Sequence, residues 1–299
     1  MKIDELKAKT EEYLTDLQDS EKARNTVISY RTDLKELFDY LDAAERTDGG
    51  DLTRADIVSY KENLKASGAA TSTINRKVVS INRFLKWAGA VDAAGTKQIK
   101  QQEKSTLENV ISRADFYRLL KVALTPPPQA VKAGLKPDPQ IWAILLTIAN
   151  TGIRFGELRY FTVEAVQAAR KSMCITVENK GKQRTIPISK DLYKILNDYC
   201  KTQGIESGVI FCTRNGTPIS NPQFSRRLKK IAGYARINKA KVHPHNFRHL
   251  FAKEFMQENG RIDQLQGILG HSSIKTTSIY TRTTAKELAT SVAKVNLLP

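Results

Sequence analysis

The chain has 299 residues, 40% hydrophobic and 26% charged, enough apolar content for more than one packed core and too much for a disordered or fibrous chain. Its 48 lysines and arginines against 31 acidic residues give a formal net charge of +17, a field that attracts polyanions and points first to nucleic acid. The three cysteines, Cys174, Cys200 and Cys212, lack the spacing of a zinc ribbon or a disulfide framework, and the longest apolar run, IWAILLTIA, is about half the roughly 18 residues that a membrane span requires.

The opening segment MKIDELKAKTEEYL alternates charged with apolar residues and has no unbroken apolar core, so secretion is not expected and a cytoplasmic, nucleoid-associated protein is. Between Asn25 and Leu41, apolar residues recur as Val27, Tyr30, Leu34, Leu37, Phe38 and Leu41, the spacing of a helix with one buried face. In TSTINRKVVSINRFLKWAGA the stripe is Ile74, Val78, Ile81, Leu85 and Ala88. Arg76, Lys77, Arg83 and Lys86 fall largely off it and form a basic outer side, a candidate DNA contact. The stretch GTKQIKQQEKSTLE has no apolar period and reads as an exposed linker. The expected organisation is therefore a helical N-terminal domain at 1–96, a linker at 97–107 and a second domain at 108–299.

The second domain opens with a helix at ISRADFYRLL, capped by Ser112, followed by TPPPQAVKAGLKPDPQ, whose five prolines predict a surface loop. An apolar helix then runs through IWAILLTIAN and breaks at Thr151-Gly152, which places Arg154 at a helix junction. The β-rich runs MCITVE and QRTIPI flank NKGK and predict a hairpin with Lys180 at its tip. Ser220 or Asn221 caps a basic helix, FSRRLKKIAGYA, whose Arg226 and Arg227 are further candidate DNA contacts. The fold class expected is mainly α with one small β-hairpin.

KVHPHNFRHL packs three of the four histidines into ten positions, and the fourth is His271. Two chemistries compete for such a cluster. His243, His245 and His249 could ligate a metal, or the imidazoles could serve a phosphate beside Arg248. A guanidinium among the ligands would repel a dication, and no carboxylate stands in the motif, so no metal is expected. Phosphodiester cleavage asks for permanently charged, fork-shaped donors, a side-chain oxygen nucleophile and a proton donor for the departing sugar oxygen.

Four segments, TGIRFGEL (151–158), NKGKQRTIPI (179–188), HPHNFRHLFA (243–252) and LGHSSIKTTSIYT (269–281), resemble in sequence and order the motif boxes of the tyrosine recombinase (integrase) family. TVISYRTDLKELFDYL resembles that family's core-binding helical domain. The resemblance implies that Arg154 and Arg248 clamp the scissile phosphate and that Tyr280 attacks it to give a 3′-phosphotyrosyl bond. It makes Lys180 the acid for the 5′ leaving oxygen, His245 the acceptor of the tyrosine proton or a phosphate ligand, and His271 a hydrogen-bond donor to phosphate. The hairpin NKGKQR is tighter than the family's GKGxKxR-like pattern, which makes Lys182 an alternative to Lys180.

The implied activity is site-specific cutting and rejoining of DNA, without cofactor or metal, in integration or excision of a mobile element. Xer-type dimer resolution and a type IB topoisomerase are the alternatives. Implied partners are a double-stranded recombination site and three further copies of the chain on DNA, from a monomer in solution, with an accessory bending or directionality protein and no membrane. The tail 284–299 carries Ala285, Leu288, Ala289, Val292 and Val295 at helical spacing and is expected to dock on a neighbouring protomer.

Overall fold

The computed structural model describes residues 1–45, 50–100, 110–179, 182–270 and 277–281. Its contacts divide the chain into two compact units, Met1–Lys104 and Ser105–Pro299. The first unit is helical: α1 (Ile3–Asp19), α2 (Arg24–Ala43), α3 (Arg54–Ala66) and α4 (Thr71–Trp87). The predicted stripe of α2 is buried in full, and Leu6, Leu14, Leu34, Leu37, Ile57, Ile81 and Phe84 fill the core between the helices. α3 starts on a capping box in which Thr53 and Asp56 satisfy each other's end groups.

One expectation for this unit needs correction. Lys77 does not face outward: it is 5% exposed and pairs with Glu36 of α2. The cause lies on α2, where Asp33 interrupts the apolar stripe as a fully buried carboxylate that accepts from Ser80 Oγ at 2.7 Å and Arg76 at 2.5 Å. A buried charge of that kind persists only when cations and hydroxyls gather round it, so α4 turns part of its basic side inward. The start of the expected linker is also bonded to this unit. Asn82 Oδ1 accepts from the amides of Gly95 and Thr96, Asn75 makes reciprocal bonds with the backbone of Ile99, and Lys61 donates to the Lys97 carbonyl. Residues 95–99 are thus bonded to α3 and α4.

The second unit contains α5 (Arg113–Leu124), α6 (Pro128–Lys132), α7 (Pro139–Thr151), a 3-10 helix (Phe155–Tyr160), α8 (Val163–Ser172), β1 (Cys174–Asn179), β2 (Lys182–Pro187), α9 (Lys190–Thr202), α10 (Asn221–Tyr234), α11 (Pro244–Asn259) and α12 (Ile262–Leu269). α7 is its central element: Ile141, Ala143, Ile144, Leu145 and Ile148 are all buried, and α5, α9 and α11 pack round it. Ser112 caps α5 and Ser220 caps α10, the latter through a capping box with Gln223.

The proline-rich segment is more ordered than its composition suggests. Pro128 opens the short α6, and Asp138 caps α7 while Arg227 grips the same carboxylate at 2.9 and 2.5 Å. β1 and β2 pair antiparallel from Cys174↔Pro187 to Asn179↔Lys182, so each strand reaches one residue further toward the turn than the β-rich runs predict. Among the described residues, no helix is long and apolar enough to cross a membrane, and the three cysteines are unpaired.

Candidate active site at the end of helix α7

The site begins where α7 stops. Gly152 takes φ +64°, the left-handed conformation that closes a helix, and its amide donates to Ile148 O. A Cβ there would lie 2.4 Å from Phe251 Cδ1 and 2.8 Å from Leu269 Cδ2, so the turn needs glycine both for its backbone and for the close approach of α11 and α12. Two residues later the chain re-enters a helix, with Arg154 at the N-cap of the 3-10 turn. The Arg154 amide donates to Glu157 Oε2 at 2.7 Å, and its guanidinium reaches Glu157 Oε1 at 3.3 Å and Gly270 O at 3.1 Å.

Arg248 comes to the same place from α11. It is 4% exposed and donates to Gly152 O at 2.5 Å and Leu269 O at 2.7 Å. The two predicted arginines therefore share one small region, fastened to carbonyls at the ends of α7 and α12. A third cation, Arg184 of β2, bonds Glu157 Oε2 at 2.6 Å and the Ile268 carbonyl. Gly270, at φ +62°, leaves room for it: a Cβ would fall 2.8 Å from Arg184 Cδ.

Arg184 and Glu157 were absent from the sequence-based set. A signal for each exists. Arg184 has the same strand parity as the fully buried Ile186, and a charge on the apolar face of a strand demands a partner. Glu157 lies at the capping-box position three residues after Arg154.

This cluster sets three guanidinium groups around one carboxylate. Burial, then the neighbouring cations Arg154 and Arg184, pull Arg248 down to about 10, with Glu157 opposing. It remains a cation at neutral pH, and the shift reflects positive charge held without enough counter-charge. An oxyanion seated beside Arg154, which keeps 31% of its side chain exposed, would relieve that imbalance.

Tyr280 lies in the 3-10 turn Ser278–Thr281, 8% exposed, packed in a cluster with Ala252, Leu265 and Leu269. Its hydroxyl is 2.6 Å from His249 Nδ1. Burial pushes the phenol up to about 12, against the pull of Arg248. His249 is drawn down to about 4 by burial first, then by His245, His243 and Arg248. Both groups are thus uncharged at neutral pH, and the phenol donates when the ring carries its proton on Nε2.

His245 was expected to accept the tyrosine proton or to hold the phosphate; the hydrogen-bond partner of Tyr280 is His249. His245 is an exposed residue, yet partial burial of its ring and then Arg248 lower its pKa. Lys180 and His271 lie outside the described residues, as do the side chain of Lys182 and the tail 282–299. Of the proposed DNA contacts, Arg83, Lys86 and Arg226 are exposed. Arg76 is exposed but bonded to Asp33, and Arg227 is held by Asp138 and Gln140. Among the described residues, no three His, Cys, Asp or Glu side chains are grouped to hold a metal ion.

A family model described as "Phage integrase family" matches residues 129–287, and one described as "Phage integrase, N-terminal SAM-like domain" matches residues 10–90. Tyrosine recombinase XerA of Pyrococcus furiosus is 28% identical, with 96% of this chain and 94% of that protein covered. Among solved structures, the Tn1549 transposon integrase in complex with circular intermediate DNA has a TM-score of 0.71 at 18% identity, covering 99% of this chain and 100% of that one. A lambda integrase dimer bound to a core site has a TM-score of 0.70 at 16% identity, covering 96% and 98%.

Proposed function

The chain belongs to the phage integrase family and is a tyrosine recombinase that cuts and rejoins DNA at specific sites, and from this premise we propose that it works through a 3′-phosphotyrosyl intermediate on Tyr280. One observation carries the assignment: α11 presents Arg248, anchored beside Arg154, and in the next position His249, bonded to the Tyr280 hydroxyl. In this reading the two guanidinium groups hold the non-bridging oxygens, whose charge grows as the phosphorane forms. Glu157 and Arg184 fix the Arg154 side of the clamp. Lys180 or Lys182 protonates the 5′ oxygen, and His245 and His271 donate to phosphate. The phosphotyrosyl bond conserves the energy of the cut strand, so rejoining calls for no nucleotide, and the fixed arginines take the electrostatic role that a metal would otherwise fill.

The proposed substrate is a pair of double-stranded recombination sites. The exposed Arg83, Lys86 and Arg226 supply phosphate contacts, four protomers act together, and residues 284–299 dock on the neighbouring copy. A DNA-bending or directionality protein completes the assembly, and the location is the cytoplasm at the nucleoid. The biological role we propose is movement of a mobile element; the long proline-rich segment before α7 and the tight hairpin support it over dimer resolution.

Sites captured covalently from random genomic fragments, then cloned in pairs, test the reading. Recombinant products that need two sites and vanish with Tyr280→Phe are expected. Relaxation of single-site or site-free plasmid without exchange would contradict it, and capture at one chromosomal locus instead of element ends would move the role to dimer resolution.

A further inference from the structure

We propose that His249 is a catalytic residue of the reaction: it holds the Tyr280 phenol before cleavage and takes its proton as the phenol attacks. The inference rests on Tyr280 being the nucleophile. Its geometric basis is independent of the motif boxes, which assigned no role to His249. The imidazole Nδ1 sits 2.6 Å from the phenol oxygen, with the rings at 5.6 Å and 50°. Tyr280 is buried in the cluster with Ala252, Leu265 and Leu269, and His249 beside it is half-buried. A water molecule could serve as base for an exposed phenol, but a phenol 8% exposed depends on the group already bonded to it.

The position along α11 strengthens the case. Arg248 and His249 are consecutive, so the helix that fixes the phosphate clamp to Gly152 O and Leu269 O also fixes the base. His245, one helical turn earlier, is on the same side of α11 and is the phosphate-facing imidazole in the proposed function. The two histidines then divide the work, one toward phosphate and one toward the nucleophile. Burial first, then His245, His243 and Arg248, keep the His249 ring neutral, which leaves its nitrogen free to accept but makes it a weak base while the site holds no anion. A bound phosphodiester would offset the Arg248 charge and strengthen the base when substrate is present.

In the proposed step, Tyr280 Oη bonds to phosphorus as the P–O5′ bond breaks, and the phenol proton passes to His249 Nδ1. The departing 5′ oxygen receives a proton from the hairpin lysine. On rejoining, the 5′ hydroxyl attacks the phosphotyrosine and gives its proton back to the hairpin lysine, the P–O bond to Tyr280 breaks, and His249 returns the proton to the phenol oxygen. No redox partner or co-reactant is consumed.

The test is single-turnover adduct formation by the full chain on a nicked suicide substrate. His249→Asn places an amide oxygen near the Nδ1 position, which preserves a hydrogen-bond acceptor but not a base. We expect that variant to bind DNA as the wild type does and to form adduct about 100-fold more slowly. Replacing Tyr280 by a fluorinated, more acidic tyrosine should restore most of that loss while changing the His249-containing protein little. His249→Gln, with DNA affinity and thermal stability measured alongside, carries the same comparison if the asparagine variant folds poorly. Adduct formation at the wild-type rate in either variant, or a slow rate that the acidic tyrosine does not relieve, would overturn the role of His249. Absence of any wild-type adduct, or an adduct that survives Tyr280→Phe, would instead strike the nucleophile assignment.

Discussion

At the scale of single residues, the Tyr280–His249 pair makes stability report on the pocket. The folded chain holds His249 near 4, while the unfolded chain titrates near 6.5, so below pH 6.5 the unfolded state binds the extra proton. The stability tied to a neutral His249 is complete above 6.5 and is lost as the pH falls toward 4, by at most about 3 kcal/mol. Tyr280 behaves in the opposite direction: its folded value near 12 exceeds the unfolded 10, so stability falls as the pH rises above 10. Thermal melts of wild type and His249→Asn from pH 7 to 4 should therefore converge, with the wild type losing more. Parallel curves would mean that His249 is not held neutral by the fold. What sequence could reveal at this scale was the set of residue types that meet a phosphate. It could not reveal which histidine touches the tyrosine, because that depends on the angle between α11 and a 3-10 turn 31 positions away.

At the scale of elements, periodicity located the helices and misjudged one face. α2 obeyed its stripe, yet Asp33 within that stripe recruited Arg76 and Ser80, while Glu36 took Lys77. A pattern of apolar spacing gives no weight to a buried carboxylate, so Arg76 and Lys77 were assigned outward when they are engaged with acidic groups of α2, and the exposed Arg83 also donates to the Tyr30 hydroxyl of that helix. The two kinds of cation should separate experimentally. Arg83→Ala and Lys86→Ala are each expected to weaken DNA binding and to reduce the slope of log affinity against log salt by about 1. Lys77→Ala should leave that slope unchanged and lower the stability of the first unit by roughly 1–2 kcal/mol, because it uncouples Glu36 and removes a packed side chain. Fluorescence anisotropy over a salt series, with melting curves of the same variants, makes the comparison; an altered slope in Lys77→Ala would return that residue to the DNA-facing set. The hairpin and the caps of α5 and α10 were legible because their determinants are local: turn-forming residues between β-branched runs, and serine at an N-cap. The ordering of the proline-rich segment was not, since it depends on Arg227, 89 positions from the Asp138 it grips.

At the scale of the whole molecule, the excess of 17 positive charges explains attraction to DNA but carries no chemistry. The chemistry depends on bringing α7, β2, α11 and α12 to one point, and glycine at 152 and 270 permits that convergence. The family and its two sequence segments were visible in the four motif boxes; the Glu157–Arg184 support and the His249 contact required the folded chain. The central claim is that Tyr280 carries the cut strand. Its most direct measurement is mass spectrometry of the peptide left on a suicide substrate after denaturation and proteolysis, with the freed DNA end analysed in the same sample. The account predicts one modified peptide, with a 3′-phosphoryl nucleotide on Tyr280, and a free 5′ hydroxyl on the released strand. A nucleotide attached to any other residue, a 5′-phosphoryl linkage, or cleavage with no protein–DNA bond would contradict it.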